Sequence, residues 1–227
     1  MPKIHKTNAS MLLGEAVYGA LDGTVTTFAV MAGALGAQAS VNIILIMAFA
    51  NLFADGFAMS VGSFLSVKSQ LQVYEKRKHL LANLVRRDSE SVKLQIETIY
   101  QKKGFAQSSS EIIAATLLHA PHLAVEELLT AEGSSQPPNA PLVSALTTFA
   151  SFVTVGMMPV LVFLALPSKD FSLLFVLVGL VLFGVGTLRS KFTSVSPIRG
   201  GIEIMIAGLG ASLVAYVIGE VLGKMLL

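Results

Sequence analysis

The chain has 227 residues, of which 53% are hydrophobic and 13% are charged, and its mean hydropathy is +0.71. Soluble domains carry about 25% charged residues, so this composition predicts a membrane protein. The absence of cysteine from the sequence excludes disulfide bonds, iron–sulfur clusters and thiolate zinc sites. A net charge of +2 is too small to indicate a nucleic-acid partner.

Five predominantly apolar stretches are long enough to cross a lipid bilayer, which takes about 20 helical residues. They cover residues 16–37, 41–66, 142–166, 171–188 and 202–222, and Pro159 is expected to kink the third. The sequence therefore predicts an all-α membrane protein, with five transmembrane helices and a cytoplasmic helical insert between helices 2 and 3. The predicted domains are residues 1–67 with helices 1 and 2, residues 68–140 with the insert, and residues 141–227 with helices 3 to 5.

The insert holds 17 of the 30 charged residues and has a helical pattern. Its first helix is expected to continue the second span beyond Lys68, because no glycine or proline interrupts it. Gly104 is expected to end the next helix, and Ser108-x-x-Glu111 has the form of a capping box that begins a third. A fourth, short helix is expected to end by Gly133.

Lysine and arginine are enriched in cytoplasmic loops, and their distribution predicts the orientation of the chain. The N-terminal segment, the insert and the loop over residues 189–201 together hold 14 of the 16 cationic side chains. The N terminus is therefore expected in the cytoplasm and the C terminus outside. The N-terminal segment is short and carries no organelle-targeting sequence, which favours a prokaryotic inner membrane.

Two aspartates, Asp22 and Asp55, fall inside predicted spans. A charged side chain there costs about 2.5–3.5 kcal/mol on insertion scales, so each aspartate is a candidate functional group. Counted from the cytoplasmic ends of their spans at about 1.5 Å per residue, Asp22 and Met59 come to the same level. Side chains four residues apart share one helical face. The second span carries such a series, consisting of Asn51, Asp55, Met59 and Ser63.

A carboxylate beside an amide oxygen and a thioether suits a borderline first-row divalent ion better than Mg²⁺ or K⁺. The same carboxylates can carry protons. Thr26 on the first span and Glu203 near one end of the fifth are secondary candidates, and Glu15 is expected at the membrane interface.

The alternative is that the two aspartates hydrogen-bond neighbouring helices and that Met59 fills a gap in the core. The chain would then be a non-transporting membrane protein whose insert recruits a partner. An intramembrane enzyme is not favoured, because all four histidines lie outside the predicted spans.

Two glycine pairs bear on how the helices pack. Gly19-x-x-x-Gly23 and Gly219-x-x-x-Gly223 have the small-xxx-small form that allows two helices to approach closely. Five helices make a thin wall for a pore, so a pathway between two subunits is the simplest arrangement. The sequence therefore predicts a homodimer.

Two segments carry long and specific motifs, residues 21–33, LDGTVTTFAVMAG, and residues 50–62, ANLFADGFAMSVG. They resemble the first-helix and second-helix signatures of the vacuolar iron transporter family. The Asn-x-x-x-Asp-Gly pattern in the second segment resembles a bacterial branch of the family. Weaker similarity extends to residues 99–105 and 201–205, so the resemblance spans nearly the whole chain.

The resemblance implies a five-helix homodimer that exchanges Fe²⁺ or Mn²⁺ for protons and moves the metal out of the cytosol, with no resident cofactor. The aspartate and the methionine that line the family's pathway fall on Asp22 and Met59. A family glutamate falls on Asn51 in this chain, and Asp55, one turn further along, is expected to restore the lost charge.

Family members with this insert bind metal there through glutamates on three helices and a methionine. The matching positions in this chain hold Gln95, Thr98, Leu128 and Glu132, so only one acidic ligand is kept. His122 and Glu126 are further candidate ligands in the insert, although Pro121 interrupts the helix beside them. We therefore expect a helical insert without a high-affinity metal cluster.

Overall fold

The computed structural model describes residues 4–134, 140–166, 171–191 and 193–226. Within these ranges, every regular element is an α-helix. The helices are α1 (Ile4–Gly36), α2 (Val41–Arg87), α3 (Ser89–Lys102), α4 (Gln107–Leu118), α5 (Pro121–Ala131), α6 (Pro141–Gly156), α7 (Met158–Ala165), α8 (Phe171–Ser190) and α9 (Pro197–Leu226). The expected break at residues 167–170 and most of the linker after Gly133 lie outside the described residues.

The chain divides into two compact units. The membrane unit contains the chain up to Leu65 and again from Ala140 onward, and the insert unit is Ser66–Asn139. Helix α2 belongs to both units, because it runs without a break for 47 residues. This continuity was expected from the absence of glycine and proline after Lys68.

Four helical segments are long and apolar enough to cross a membrane, judged by length and composition. They are Val41–Arg87, Pro141–Ala165, Ser172–Ser190 and Pro197–Leu226. The predicted first span, residues 16–37, lies within α1 but is not one of these segments. Asp22, three threonines and four glycines lower its mean hydropathy. The structure thus supports a multi-pass membrane protein, while the count of five spans stays a prediction.

Helix α1 lies at the centre of the membrane unit, packed against α6, α7, α8 and α9. Over residues 11–36, Gly14 and Tyr18 are its exposed residues, whereas Phe28 and Met31 are completely buried in the core. Large exposed apolar side chains lie instead on the surrounding helices, such as Phe57 on α2. The more polar helix is therefore enclosed by more apolar ones, as a lipid environment requires.

The glycine pairs are used for contacts within the chain. A Cβ atom on Gly219 of α9 would lie 2.0 Å from the carbonyl oxygen of Gly33 on α1. A Cβ atom on Gly23 would lie 2.4 Å from the carbonyl oxygen of Phe152 on α6. Because these glycines already pack α1 against α6 and α9, they no longer support the predicted homodimer. The homodimer stays a prediction that rests on the small number of helices available to enclose a pathway.

Proline and glycine also define several helix ends. Pro159 is the second residue of α7, directly after the break that separates α6 from α7. Gly104 has φ +95°, and the amide of Phe105 donates to the carbonyl of Tyr100, which forms a Schellman ending for α3. The predicted capping box is wrong, because α4 begins after Ala106 and Ser108 lies inside its first turn.

Candidate functional site

The predicted polar series on α2 lies beside the buried face of that helix. Ile44, Ala48, Leu52 and Gly56 form the buried face, at four-residue intervals. The polar series is half-buried and consists of Asn51, Asp55, Met59 and Ser63. These side chains therefore lie where α2 meets the rest of the membrane unit, rather than on its fully exposed apolar face.

Three observations bring α2 into register with α1. The carboxylates of Asp22 and Asp55 lie close enough to repel each other electrostatically. Ser63 Oγ forms a 2.7 Å hydrogen bond with Ser144 Oγ on α6. One turn further along α6, Thr148 Oγ1 donates a 2.8 Å hydrogen bond to Glu15 Oε2 on α1.

These contacts define an antiparallel register between α1 and α2. Asp22 follows Glu15 by seven residues on α1, and Asp55 precedes Ser63 by eight residues on α2. These two separations are nearly equal, so the contact between the aspartates and the contacts near Glu15 fit the same register. Asp55 is thus the acidic residue opposite Asp22. At about 1.5 Å per residue, Met59 lies about one helical turn from the aspartate pair, on the Glu15 side.

Two polar atoms near this region have no hydrogen-bond partner. Asn51 Nδ2 and Thr27 Oγ1 are buried and unpaired among the described residues. Buried polar groups are normally satisfied, so the Asn51 amide nitrogen is a hydrogen-bond donor that is available to a water molecule on the polar series. Thr26, by contrast, donates its hydroxyl to the carbonyl oxygen of Asp22 at 2.9 Å.

Glu203, the other secondary candidate, lies in the first turns of α9. Its carboxylate accepts a 3.0 Å hydrogen bond from Arg199 Nε, and its side chain is 46% exposed. This arrangement is typical of a solvated ion pair at a helix end. The structure therefore does not bring Glu203 into the aspartate pair.

Sequence reasoning missed Glu15, Ser144 and Thr148. Glu15 was expected at the membrane interface, yet it is half-buried and hydrogen-bonded to the buried Thr148. A signal was present, because Glu15 precedes Asp22 by seven residues and so shares its helical face. Ser144 and Thr148 carry no such signal, since hydroxyl side chains are common in membrane helices.

In the insert unit, the positions matched to the family's metal ligands line one hollow between α3 and α5. The hollow has a volume of about 640 Å³. Its lining includes Gln95, Thr98, Leu128 and Glu132. Only Glu132 among these can be charged, so the hollow presents amide, hydroxyl and apolar groups to a ligand.

Glu132 is committed to an ion pair within the insert unit. Arg77 Nε donates to Glu132 Oε2 at 2.7 Å, and the Arg77 Nη2 group donates to Oε1. This hydrogen-bonded pairing with Arg77 holds the pKa of Glu132 below its ordinary value. A second pair joins Lys103 to Glu127, and its hydrogen bond raises the pKa of Lys103.

His122 and Glu126 line a different hollow, together with Lys78 and Arg86. The structure therefore does not bring them together with Glu132. Among the residues that the structure describes, no group of three or more histidine, aspartate or glutamate side chains is placed to hold a metal ion. In the insert unit, Glu97, Glu127 and Glu132 are paired with cationic side chains instead.

The fold and the aspartate pair together define a class of protein, namely a multi-pass helical membrane protein with acidic side chains inside its helix bundle. The model of the VIT family matches residues 13–220. The chain is 28% identical to a vacuolar iron transporter of Toxoplasma gondii, over 96% of this chain and 76% of that protein. It is 27% identical to vacuolar iron transporter 1 of Arabidopsis thaliana, over 96% of this chain and 90% of that protein.

Because the family model covers most of its length, the chain belongs to the VIT family. Members of this family are transporters rather than enzymes. The similar proteins come from eukaryotes and are named for the vacuole, so they give no support to a prokaryotic inner membrane. The bacterial branch suggested by the Asn-x-x-x-Asp-Gly pattern stays a prediction.

Proposed function

We propose that the chain carries a divalent transition metal, Fe²⁺ or Mn²⁺, across a membrane in exchange for protons. The observation that carries this proposal is the pair of aspartates, Asp22 on α1 and Asp55 on α2, within the helix bundle. Asn51 and Met59 on the same face of α2 add an amide oxygen and a thioether. The names of the similar proteins support iron as a substrate.

The charge of the pair explains why metal and protons would alternate. Two ionised carboxylates within a bilayer repel each other and are costly to keep in a low dielectric medium. One divalent cation neutralises both, and so do two protons. The empty, doubly charged pair is the unfavourable state, so the site would exchange one kind of cation for the other rather than return empty. This argument favours two protons for each metal ion.

The membrane unit also bears on the number of spans and on the orientation of the chain. We include α1 as a fifth span, because it is enclosed by α6, α7, α8 and α9, which together make up three apolar segments long enough to cross a membrane. The distribution of lysine and arginine then favours a cytosolic N terminus. The names of the similar proteins, which are vacuolar transporters, support export of metal from the cytosol. A homodimer would supply the partner for the exposed apolar side chains of α2.

The test is Mn²⁺ or Fe²⁺ uptake into sealed proteoliposomes, with and without an imposed pH gradient. We expect uptake that accelerates when the lumen is more acidic than the outside, together with alkalinisation of the lumen as protons leave. Uptake that is independent of the gradient would contradict proton exchange. No uptake by the correctly folded protein would contradict metal transport altogether and favour the partner-recruiting alternative.

A further inference from the structure

The polar series on α2 ends at a second group of oxygen atoms. Glu15 of α1, Ser63 of α2, and Ser144 and Thr148 of α6 form this group, which we name the Glu15 site. Thr148 Oγ1 holds Glu15 Oε2 at 2.8 Å, and Ser63 and Ser144 pair through their hydroxyls at 2.7 Å. Ser144 and Thr148 are one turn apart, so three helices contribute oxygens at one level of the bundle.

The carboxylate of Glu15 is available to a cation. Among the described residues, it has no ion-pair partner, and its Oε1 atom accepts no hydrogen bond. Its partner Thr148 is 1% exposed, which anchors the carboxylate inside the helix bundle rather than among solvated groups. A hydroxyl that donates to a carboxylate keeps its own lone pairs, so Thr148 and the serines remain acceptors for a cation or its water shell.

The chemistry of this site differs from that of the aspartate pair. Every ligand atom at the Glu15 site is a hard oxygen, and such oxygens bind Mg²⁺, Ca²⁺ and Mn²⁺ alike. The thioether of Met59, about one turn along α2, is the only soft donor on the polar series and favours later first-row ions. The two positions can therefore perform different steps.

We infer that the Glu15 site is a cation-binding site that first receives the hydrated divalent ion, and that Thr148 positions its carboxylate. This inference rests on the proposed transport function and adds a division of labour to it. The Glu15 site captures divalent cations without discriminating between them. Selection for a transition metal occurs further along, at Asp22, Asp55 and Met59.

The experiment compares Mn²⁺ uptake into proteoliposomes for wild type and Glu15→Gln, with Mg²⁺ as the competing ion. We expect KM for Mn²⁺ to rise about tenfold, which corresponds to about 1.4 kcal/mol, with the maximal rate unchanged. The ratio of Mn²⁺ affinity to Mg²⁺ affinity should stay the same. In Met59→Leu, that ratio should fall toward one.

Thr148→Val removes the hydroxyl while keeping the shape, and it should raise KM in the same direction with the maximal rate unchanged. Ser212→Ala is the matched control, because Ser212 is equally buried but donates only to the carbonyl of Gly208 in its own helix. This control should leave KM unaltered. Glu15→Asp should recover part of the affinity, since it restores the charge.

An unchanged KM in Glu15→Gln would overturn the inference, and so would an altered ion preference or a lower maximal rate. If wild type shows no uptake, the proposed function fails while the Glu15 site is still tested by direct binding. Electron paramagnetic resonance of Mn²⁺ titrated into the detergent-solubilised Asp22→Asn/Asp55→Asn full chain would then report weak binding with Glu15 present and its loss when Glu15→Gln is added. Equal binding by both would reject the site.

Discussion

Asp22 and Asp55 combine two properties that a purely structural pair of residues does not need. They lie on different helices of the membrane unit, and each repels the other when both are ionised. If the two positions served only for packing, an amide or a hydroxyl side chain at one of them would remove the repulsion. Asn51, one turn from Asp55, is such an amide and lies on the same face. Within the membrane unit, the charge on α2 is therefore concentrated at one position, Asp55, opposite Asp22.

Substituting either aspartate separates the transport role from the packing role. Asp22→Asn and Asp55→Asn keep the side-chain shape and remove one charge of the repelling pair. Each should reduce uptake by more than the roughly 10- to 100-fold that is typical for residues supporting a metal ligand. Their thermal unfolding temperatures in detergent should be equal to wild type or higher, because the repulsion is gone. Uptake at the wild-type rate in either variant would remove that aspartate from the mechanism.

The residues of this region were predictable to different degrees. Asp22 and Asp55 are conspicuous because charges are rare in apolar spans, and the four-residue spacing on α2 identifies its polar face. The pairing of Asp22 with Asp55, rather than with Met59, depends on the register between two helices. That register is set by side-chain contacts with a third helix, α6, and no pattern within one segment encodes it.

At the scale of helices, small residues decide how closely α1 can approach its neighbours. At Gly36 of α1 and Gly219 of α9, the backbones of the two helices lie so close together that an added Cβ atom would overlap a carbonyl oxygen of the opposite helix. Close backbone approach increases dispersion contacts, which are the main source of helix association where lipid replaces water. The crossing of α1 and α9 is therefore sensitive to a single added methyl group.

Gly219→Ala tests this crossing, with Gly210→Ala in the same helix as its matched control. The added Cβ of the first would lie 2.0 Å from a backbone oxygen, whereas nothing lies within 4 Å of the second. Gly219→Ala should destabilise the membrane unit by about 1–3 kcal/mol, as overpacking usually does. Gly210→Ala should be neutral or slightly stabilising, because alanine favours the helix. Thermal unfolding in detergent measures both, and equal effects would show that the helices separate easily at this crossing.

Helix boundaries show what local sequence can and cannot specify. The uninterrupted α2 and the end of α3 at Gly104 follow from the backbone preferences of glycine and proline. The start of α4 was misassigned because Ser108 and Glu111 satisfy the capping-box spacing by chance. The extended backbone of Ala106 already begins the helix, and Gln107 Nε2 donates to Glu111 Oε1 instead.

At the scale of the whole molecule, hydropathy alone does not identify the central helix. The most polar of the long helices in the membrane unit, α1, is the one that its neighbours enclose. Its apolar content is lower than that of the surrounding helices, because it does not need an apolar surface along its length to face lipid. Its position inside the bundle is a tertiary property, which only the packing of four other helices reveals.

The two units should also differ in their affinity for metal. In the insert unit, Glu132 and Glu127 are paired with Arg77 and Lys103, and the other matched ligand positions are neutral. We therefore expect the full chain in detergent to bind Mn²⁺ tightly through the aspartate pair alone. Calorimetric titration of the double variant Asp22→Asn/Asp55→Asn should show no site of micromolar or tighter affinity. Retention of such sites would show that the insert unit still binds metal without the lost carboxylates.

The ion pair between Glu132 and Arg77 gives the insert unit a stability that depends on pH. Because Arg77 lowers the pKa of Glu132 from its ordinary value of 4.5, the stabilisation is fully present above pH 4.5. It is lost as the pH falls through the lower pKa of the folded state, where Glu132 takes up a proton. Hydrogen exchange of α5 amides, corrected for intrinsic rates, should therefore show less protection as the pH falls from 5 to 3.

Glu132→Gln isolates this contribution from that of the other carboxylates, which titrate in both proteins. The variant should have weaker α5 protection than wild type at pH 7, and the difference should shrink toward zero at acid pH. Glu126→Gln is the matched control, since Glu126 is an exposed glutamate on the same helix and makes no ion pair among the described residues. It should follow the wild-type profile. A difference between Glu132→Gln and wild type that stays constant with pH would show that Glu132 stabilises the insert unit through packing rather than through its charge.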